Sequence, residues 1–583
     1  MAKFLLGLLC GIILSVLVAF LFIVIVVRVA ASLGERPPEI SDGSTLIFTL
    51  TGDVPERAPT ELPLPLLQEQ TPVTVQQVWE CFRKAAADSR IKAVVFEPRG
   101  LQIGWAKMQE IRQEMLDFRK SGKPLVAFLR GATGREYYLA TAADRIYMAP
   151  EDVLDLKGIH LEALYLKKTL DKLGIQADVV HAGKYKDAGD VLTRTDMSPE
   201  TEQVLNAVLD QYYGDLVNVI AAGRKKDPAQ VRAIIDNGPF FGKQALDDGL
   251  VDVLGYDDQV AGDLQKRLGQ KQLKKVSLKS YVRVPASSVG LEGGKRIAFI
   301  VGEGEITRAQ QSDNIGNINL IASGPFTKIL RDVKNDSTIK GAIIRIDSPG
   351  GDGVASDDIL HAAQELSRAK PVVISMSDVA ASGGYFIAMT GDPVLSYPNT
   401  LTGSIGVIFA KLNINGLYGK LGITRPSLDR GRNADLYADN EPLTGEKLAK
   451  VQQQVETFYG AFVSRVAQGR KRPASDIEPL AQGRVWTGAA AKQNGLVDQL
   501  GGIDAAIDLI RKRANIAPSE KISLVVYPPK RSLLDVLMSH QDENATIELR
   551  AEAKIESLLG GVPVRALAQG GFLKLMPYTI RTQ

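Results

Sequence analysis

Two serine–glycine motifs have the residue types and spacing that acyl-transfer chemistry requires. The first, SPGG, spans residues 348–351, and the second, SGGY, spans residues 382–385. Paired glycines let the backbone approach a substrate and present N–H groups to it, and such donors stabilise the oxyanion that develops in acyl transfer. Ser382 precedes a helical pattern, so its hydroxyl is expected at a helix N-terminus, which favours negative charge. Each motif alone is more often a turn or a helix cap, so acyl transfer is a hypothesis at this point.

A serine nucleophile needs a base to take its proton. No histidine lies in a recognisable triad signature, although a histidine need not lie near the serine in sequence. The chain has four histidines: His160, His181, His361 and His540. Lysine is the other option, because burial favours the neutral amine that can accept a proton. Lys184 and Lys186 both follow the apolar run 177–180, which is predicted to be a strand, and the residues alone leave both open.

Composition and motifs argue against several other classes of function. The chain has no HExxH, CxxC or P-loop pattern, so metal and nucleotide chemistry lack support and no cofactor is predicted. The 70 basic residues nearly balance the 67 acidic residues, which gives no reason to expect a nucleic-acid partner. The two cysteines, Cys10 and Cys81, cannot form a disulfide framework.

The elements that must position the two motifs alternate between short apolar strands and helices. The runs 297–301, 342–346 and 372–376 are short, rich in β-branched residues and bounded by turn residues. Helical spacing occupies residues 326–333 and 356–368. This alternation predicts a parallel α/β sheet with right-handed crossovers. Both serine motifs then lie at the carboxyl ends of strands, where open α/β sheets place their ligand sites.

The chain also repeats itself. Five pairs of segments match in the same order at an offset of 246 to 248 residues, which chance does not explain. The pairs are 88–92 with 336–340, 123–129 with 370–376, 137–140 with 385–388, 173–175 with 421–423, and 249–252 with 495–498.

The repeat predicts two α/β domains, at residues 40–270 and 295–520. Residues 271–294 are basic and then rich in Pro, Ser and Gly, which is typical of a linker. The tail, residues 521–583, has no counterpart in the first half, and its apolar patches at 533–538 and 572–576 favour docking onto the body.

The N-terminus predicts a membrane anchor. Residues 4–27 form an uncharged apolar run of 24 residues, which as a helix would be about 36 Å long and could span a bilayer. The run is longer than the apolar region of a cleavable signal, although small residues at 30–32 leave that alternative open. Lys3 and Arg28 flank it, which weakly favours the N-terminus inside and the body outside. Residues 1–30 are therefore assigned to a transmembrane anchor.

Three motifs in register resemble the signal peptide peptidase A (protease IV) family. They are IDSPGG at 346–351, AASGGY at 380–385 and LTGSIGV at 401–407. The doubled length and the apolar N-terminus are similar to the long, tandem-repeat form of that family. The resemblance implies a ClpP/crotonase-like fold in each repeat and a Ser–Lys dyad.

The resemblance also assigns roles to residues. It places the nucleophile at Ser382. The family's lysine lies in a Tyr-Lys element ahead of Met-Ser-Pro, which here occupies residues 197–199, so Lys186 is preferred to Lys184 as the general base.

Three further residues take family roles in the same way. Ser404 matches a serine that helps to position the lysine. The backbone amides of Gly351 and Gly383 are the expected donors of the oxyanion hole.

The repeat offset tests this assignment. Ser382 corresponds to Gly134 in the first repeat, and Lys186 corresponds to Ala434 in the second. Each repeat therefore retains one half of the dyad, and one working site per chain requires Lys186 of the first repeat to reach Ser382 of the second.

The family resemblance implies a membrane-bound serine endopeptidase that cleaves leftover signal peptides and other short or unfolded chains. It also implies a homotetramer and a bacterial inner membrane, with the body on the periplasmic side. Two alternatives remain: a crotonase-like enzyme acting on acyl thioesters, which would need neither dyad residue, and a non-catalytic membrane scaffold derived from a peptidase.

Overall fold

The computed structural model describes most of the chain outside its termini. The described residues are 38–58, 72–291, 293–308, 319–529 and 571–576, with eight isolated helical positions between residues 7 and 22. Apart from those positions, the predicted anchor at residues 4–27 lies outside this set. Within the described set, no helix is both long enough and apolar enough to cross a membrane.

Strands and short helices alternate in the first repeat. Its strands are β1 (Ser44–Thr51), β2 (Ile91–Arg99), β3 (Leu125–Leu129), β4 (Ala132–Thr133), β5 (Arg145–Met148), β6 (Val153–Asp155), β7 (Gln176–Ala182), β8 (Phe240–Phe241), β9 (Val253–Leu254) and β10 (Lys274–Ser277). Its helices are α1 (Val75–Ala87), α2 (Trp105–Arg119), α3 (Gly134–Ala140), α4 (Lys167–Leu173), α5 (Asp190–Thr193), α6 (Pro199–Arg224), α7 (Pro228–Ile235), α8 (Gly242–Asp247), α9 (Asp257–Leu268) and α10 (Leu278–Val282), with a 3-10 turn at Ala286–Val289.

The second repeat follows the same plan. Its strands are β11 (Lys295–Glu303), β12 (Glu305–Thr307), β13 (Leu320–Ala322), β14 (Ile339–Ser348), β15 (Gly350–Asp352), β16 (Val372–Ala381), β17 (Val394–Ser396), β18 (Leu401–Gly403), β19 (Val407–Asn413), β20 (Val485–Thr487), β21 (Gln499–Leu500), β22 (Ile522–Tyr527) and, in the tail, β23 (Gly571–Leu575). Its helices are α11 (Ser323–Asn335), α12 (Gly353–Ala369), α13 (Gly383–Ile387), α14 (Asn415–Leu421), α15 (Gly445–Arg470), α16 (Ala474–Ile477), α17 (Gly488–Asn494) and α18 (Ile503–Arg513), with a 3-10 turn at Glu478–Leu480.

Side chains at the helix starts fix where several helices begin. Thr74 caps α1 by accepting the N–H of Gln77, whose side chain accepts the N–H of Thr74 in return. Ser198 caps α6 by accepting the N–H of Thr201, and Pro199 occupies the first helical position. These caps satisfy N–H groups that have no partner inside the helix.

Each repeat builds the same parallel sheet. The first sheet has the order β10-β1-β2-β3-β5-β9, and the equivalent strands of the second have the order β22-β11-β14-β16-β17-β21. Every neighbouring pair in these two series is parallel. The predicted α/β tandem repeat is confirmed.

One hydrophobic core runs across both repeats. Along β11, Ile297 and Phe299 pack in a cluster that also contains the core of the first repeat, whereas Ala298 and Ile300 pack in a second cluster. Successive strand residues point to opposite faces of a sheet, and strands covered on both faces are apolar throughout. The second sheet is therefore covered on one face by the first repeat.

The predicted boundaries of the repeats require a correction. Residues 271–294, expected to be a linker, contain β10 and α10, and β10 pairs with β1. The tail, expected to lack a counterpart, begins with β22, which pairs with β11 in the same way. The repeats therefore extend past residues 270 and 520. β10 has the sequence KKVS and is mostly exposed, so it carries no apolar signal.

A third sheet joins the two repeats, in the order β13-β12-β15-β23-β19-β7. β7 of the first repeat runs antiparallel to β19 of the second, with Gln176 opposite Asn413 and Ala182 opposite Val407. β23 from the tail lies between β15 and β19. Because β7 crosses to the second repeat, the chain that follows it, including Lys186, enters that repeat.

Candidate active site

Ser382 occupies a strained turn at the end of β16. Its backbone has φ +54° and ψ −114°, a conformation that non-glycine residues rarely adopt. Its N–H donates to Gly403 O at 2.8 Å, and its carbonyl accepts the N–H of Phe386 at 2.8 Å. The side chain is fully buried at the start of α13. The turn therefore presents one hydroxyl at a helix N-terminus, as the sequence predicted.

Lys186 meets Ser382 from the other repeat. Its Nζ lies 2.9 Å from Ser382 Oγ, 2.8 Å from Ser404 Oγ and 3.0 Å from Ser404 O. All three residues are fully buried. Lys184, the other candidate, is exposed, and its Nζ lies 4.7 Å from the centre of the Tyr185 ring.

The described histidines do not take part in this cluster. His160, His181 and His361 are exposed, and His181 Nδ1 lies 3.0 Å from Gly183 O. His540 lies outside the described residues.

Burial sets the charge state of Lys186. Removal from water lowers the pKa of its amine well below the usual 10.5, and the neighbouring Asp187 opposes that shift. Burial also raises the pKa of Asp187 to about 6. A buried lysine with a depressed pKa is neutral over more of the pH range, and the neutral amine can accept a proton.

The turn around residue 483 makes room for the lysine, and sequence reasoning missed it. A Cβ on Gly483 would lie 2.5 Å from Lys186 Cβ, and Gly483 has φ +76°, so both space and conformation require glycine. Gln482 O accepts the N–H of Tyr185 at 2.8 Å. The positions are almost 300 residues apart, and no local pattern links them.

Ser404 has an unusual conformation as well. Its φ is +50°, and its N–H donates to Arg484 O at 2.7 Å. This turn between β18 and β19 directs both its hydroxyl and its carbonyl at Lys186 Nζ.

The paired glycines lie beside the nucleophile. Gly350 has φ +104° and Gly351 has φ +147°. A Cβ on Gly350 would lie 2.7 Å from Gly383 N, and a Cβ on Gly383 would lie 3.2 Å from Gly351 N. The amide nitrogens of Gly351 and Gly383 are therefore neighbours. Gly383 is in the first turn of α13, where N–H groups have no partner within the helix.

The tail strand β23 lies against these glycines. It runs antiparallel to β15, with Gly351 opposite Lys574, and Met576 N donates to Pro349 O at 2.8 Å. Lys574 Nζ lies 3.1 Å from the centre of the Phe386 ring, and burial lowers the pKa of this amine to about 7. The patch at 572–576 thus packs on the body, but its place beside the site was not predicted, and the other apolar patch, 533–538, lies outside the described residues.

The positions that correspond to Ser382 and Lys186 in the opposite repeats are Gly134 and Ala434, and neither has a nucleophilic or basic side chain. Gly134 begins α3 and has no side chain to act as a nucleophile. Ala434 is exposed.

Known proteins resemble this chain in both repeats. A model of peptidase family S49 matches residues 117–271 and 364–517, one stretch in each repeat. The chain belongs to peptidase family S49. This S49 peptidase is a serine peptidase, with two S49 domains in tandem that are consistent with two ClpP-like domains.

Relatives of this S49 peptidase come from plants and bacteria. It is 36% identical to "Serine protease SPPA, chloroplastic" of Arabidopsis thaliana, over 85% of this chain and 73% of that protein. It is 32% identical to "Protease 4" of Salmonella typhi, over 78% of this chain and 74% of that protein. It is 29% identical to "Protease 4" of Haemophilus influenzae, over 80% of this chain and 78% of that protein.

Proposed function

We propose that this S49 peptidase is a membrane-anchored endopeptidase that uses a Ser382–Lys186 dyad to hydrolyse signal peptides and other short or unfolded chains. The observation that carries the proposal is the 2.9 Å separation of Lys186 Nζ and Ser382 Oγ at full burial. A buried neutral amine in contact with a serine hydroxyl is the arrangement that general-base activation needs.

The dyad acts in two steps. Lys186 takes the proton of Ser382, whose oxygen attacks the peptide carbonyl, and protonated Lys186 then gives that proton to the leaving amine. The same lysine then takes a proton from water, which attacks the acyl carbon, and returns that proton to Ser382 Oγ as the ester bond breaks and the acid product leaves. The contacts of Ser404 with Lys186 Nζ hold the amine toward the nucleophile.

The oxyanion of each step needs donors that are already in place. The neighbouring amides of Gly351 and Gly383 are the proposed donors. Because their backbone geometry is fixed by β15 and α13, no rearrangement is needed as charge develops.

The membrane location and the substrate class rest on the N-terminus and on resemblance. An apolar run at residues 4–27 would hold the body beside a bilayer, with the body on the periplasmic side of a bacterial inner membrane. Membrane-embedded peptides would be the substrates within reach.

We also propose that the chain forms a homotetramer by head-to-tail contact. Residues 421–434 are all exposed, whereas the equivalent stretch of the first repeat includes β7, which pairs with β19. β19, the strand that pairs with β7, corresponds in the first repeat to residues 159–165, which are partly exposed. A second copy could pair these two stretches as β7 and β19 pair within one chain, and heterologous contacts of this kind close into a ring when the rotation between neighbouring copies allows it.

Site-directed variants test the dyad. Ser382→Ala and Lys186→Ala are each expected to reduce the turnover of casein or a signal peptide by at least about 10³-fold. Lys184→Ala is the matched control, because this exposed lysine lies outside the buried cluster. Near wild-type turnover by Lys186→Ala would show that the dyad assignment is wrong.

A fluorophosphonate probe separates the alternatives. It should label Ser382 in the native protein and leave Ser382→Ala unlabelled. Hydrolysis of acyl thioesters by both proteins, without labelling, would favour the crotonase-like alternative. If the native protein is not labelled and hydrolyses neither peptides nor thioesters, that result would favour a non-catalytic scaffold.

A further inference from the structure

Three turns of the second repeat carry the candidate site, and helix α2 of the first repeat contacts a polar residue just before each one. Asp347 precedes the SPGG motif, Asp378 lies four residues before Ser382, and Asn399 lies five residues before Ser404. α2 is the helix of the first repeat equivalent to α12 of the second, and it contains none of the residues assigned to catalysis.

Lys107 of α2 holds the first turn. Its Nζ lies 2.9 Å from Asp347 Oδ2, and it is 3.8 Å from Glu303 and 3.9 Å from Asp378. Only 5% of Lys107 is exposed. Burial alone would lower the pKa of Lys107, but these carboxylates raise it well above the usual value, so the amine is a cation. Removing one partner from a buried ion pair leaves uncompensated charge.

Asp378 fixes the second turn to the N-terminus of α2. Its carboxylate accepts the N–H of Gly104 at 3.0 Å and of Lys107 at 2.9 Å. α2 has no capping side chain of its own at Gly104, so Asp378 provides the cap from the other repeat. A Cβ on Gly104 would lie 2.3 Å from the Asp378 carboxylate, so the close approach requires glycine.

Gln109 of α2 holds the third turn. Its Oε1 accepts the N–H of Asn399 at 3.1 Å, and its Nε2 donates to Asp215 at 3.1 Å. Asn399 Nδ2 donates to the same carboxylate at 2.8 Å, and Tyr212 OH donates to Asn399 O at 3.2 Å. The backbone just before Ser404 is thus held by two helices of the first repeat.

Glu110, the next residue of α2, is anchored to the same sheet. Its carboxylate contacts the guanidinium of Arg345, which is fully buried on β14 three residues before the SPGG motif. Glu110 also accepts the N–H of Ile503 at 2.8 Å. Four polar contacts therefore fix α2 to strands β14 and β16 and to the connection that precedes β18.

From these contacts we infer that α2 is a positioning element for the reaction. Lys107 and Gln109 hold the three turns that carry the SPGG motif, Ser382 and Ser404 in their relative positions. The inference rests on the proposed dyad mechanism. The first repeat then contributes the alignment of the second repeat's loops as well as Lys186. Neither residue touches the reacting atoms, so both act through the turns that they hold.

Lys107→Met and Gln109→Ala test this role in the full-length protein. Each is expected to lower kcat at least about tenfold with a smaller change in KM, because misplacement of catalytic groups by about 1 Å can cost about 10²-fold in rate. The rate of fluorophosphonate labelling of Ser382 should fall in parallel, measured well below the unfolding temperature of each variant. Lys107→Arg, which keeps the cation, should recover much of the lost rate.

Arg83→Ala is the matched control. Arg83 and Asp504 form another ion pair between the repeats, 2.6 Å apart, which is partly exposed and does not contact the three turns. Its loss should leave kcat and labelling unchanged.

Each outcome is decisive. A lowered unfolding temperature with wild-type kcat and labelling in Lys107→Met and Gln109→Ala would overturn the positioning role and leave α2 as a purely structural contact. If Lys107→Met does not fold, Gln109→Ala decides the matter, since it removes no charge. Activity retained by Ser382→Ala would instead refute the dyad mechanism, and that result does not depend on any α2 variant.

Discussion

Lys186 is an ionisable group in a place that favours its uncharged form. Its amine is fully buried and contacts two serine side chains, and only the charge of Asp187 opposes the effect of burial on its pKa. Each tenfold change in a proton-binding constant corresponds to about 1.4 kcal/mol. Burial of Lys186, which strongly depresses its pKa, therefore lowers the free energy of unfolding. The same burial that lowers the stability also supplies the neutral amine that the proposed mechanism needs as a base.

The pH dependence of the reaction should report this depressed pKa. Since neutral Lys186 is the proposed base, kcat/KM should rise as pH increases through the pKa of Lys186, and that rise should lie well below 10.5. Steady-state rates against pH for the wild type, with Lys184→Ala as control, would measure it. A rate that increases only near pH 10.5 would contradict a desolvated lysine.

The stability of the protein should depend on pH through the same residue. In the unfolded chain Lys186 keeps its proton up to about pH 10.5, whereas in the folded protein it loses it at lower pH. Between these two pKa values the unfolded state binds the extra proton, so this residue destabilises the fold increasingly as pH falls.

Lys186→Met removes this contribution. The difference in unfolding temperature, variant minus wild type, should therefore be larger at pH 7 than at pH 10.5, by up to a few degrees. Thermal unfolding followed by circular dichroism at both pH values would measure the difference. A constant difference between the two proteins would show that the pKa is not shifted.

At the scale of elements, the site depends on turns that bring distant segments together. The sequence predicted the strands β11, β14 and β16 from their apolar runs, and it placed both serine motifs at strand ends. It could not reveal the turn at Gly483, the position of β23 beside the site or the contacts of α2, because these join residues that are far apart in the chain. β10 was missed for another reason, since an exposed edge strand needs no apolar residues.

Gly483→Ala tests the turn that makes room for the lysine. The added Cβ would lie 2.5 Å from Lys186 Cβ and 2.6 Å from its backbone nitrogen, so the lysine must move. A displacement of about 1 Å should lower kcat by about 10²-fold. Gly122→Ala is the matched control, because Gly122 has φ +75° with nothing within 4 Å of an added Cβ. If both variants lose activity equally, backbone strain and not displacement of Lys186 is responsible.

At the scale of the whole molecule, the exposed stretch 421–434 forms no strand pair within the part of the chain that the structure describes, whereas its equivalent in the first repeat includes β7, which pairs with β19. Three apolar side chains are exposed within it, Leu421, Ile423 and Leu428, the last at 94%, and a group of exposed apolar side chains can mark an interaction surface. In the proposed head-to-tail contact, residues 424–430 of one copy would pair with residues 159–165 of the next.

Leu428→Asp should therefore weaken self-association. Analytical ultracentrifugation is expected to show an oligomer for the wild type and smaller species for the variant. The variant should keep its fluorophosphonate labelling, since Lys186 and Ser382 belong to one chain. Leu500→Asp, another exposed leucine away from this stretch, is the control. A monomeric wild type would contradict the proposed assembly.

The proposed dyad takes Lys186 and Ser382 from one chain, and this has a genetic consequence. Two alleles, one defective at Lys186 and the other at Ser382, each encode a protein with a broken site, and neither product can lend the missing side chain to the other. Such alleles should fail to complement in a cell that expresses both. Activity should return only when the cell also carries an intact copy of the gene.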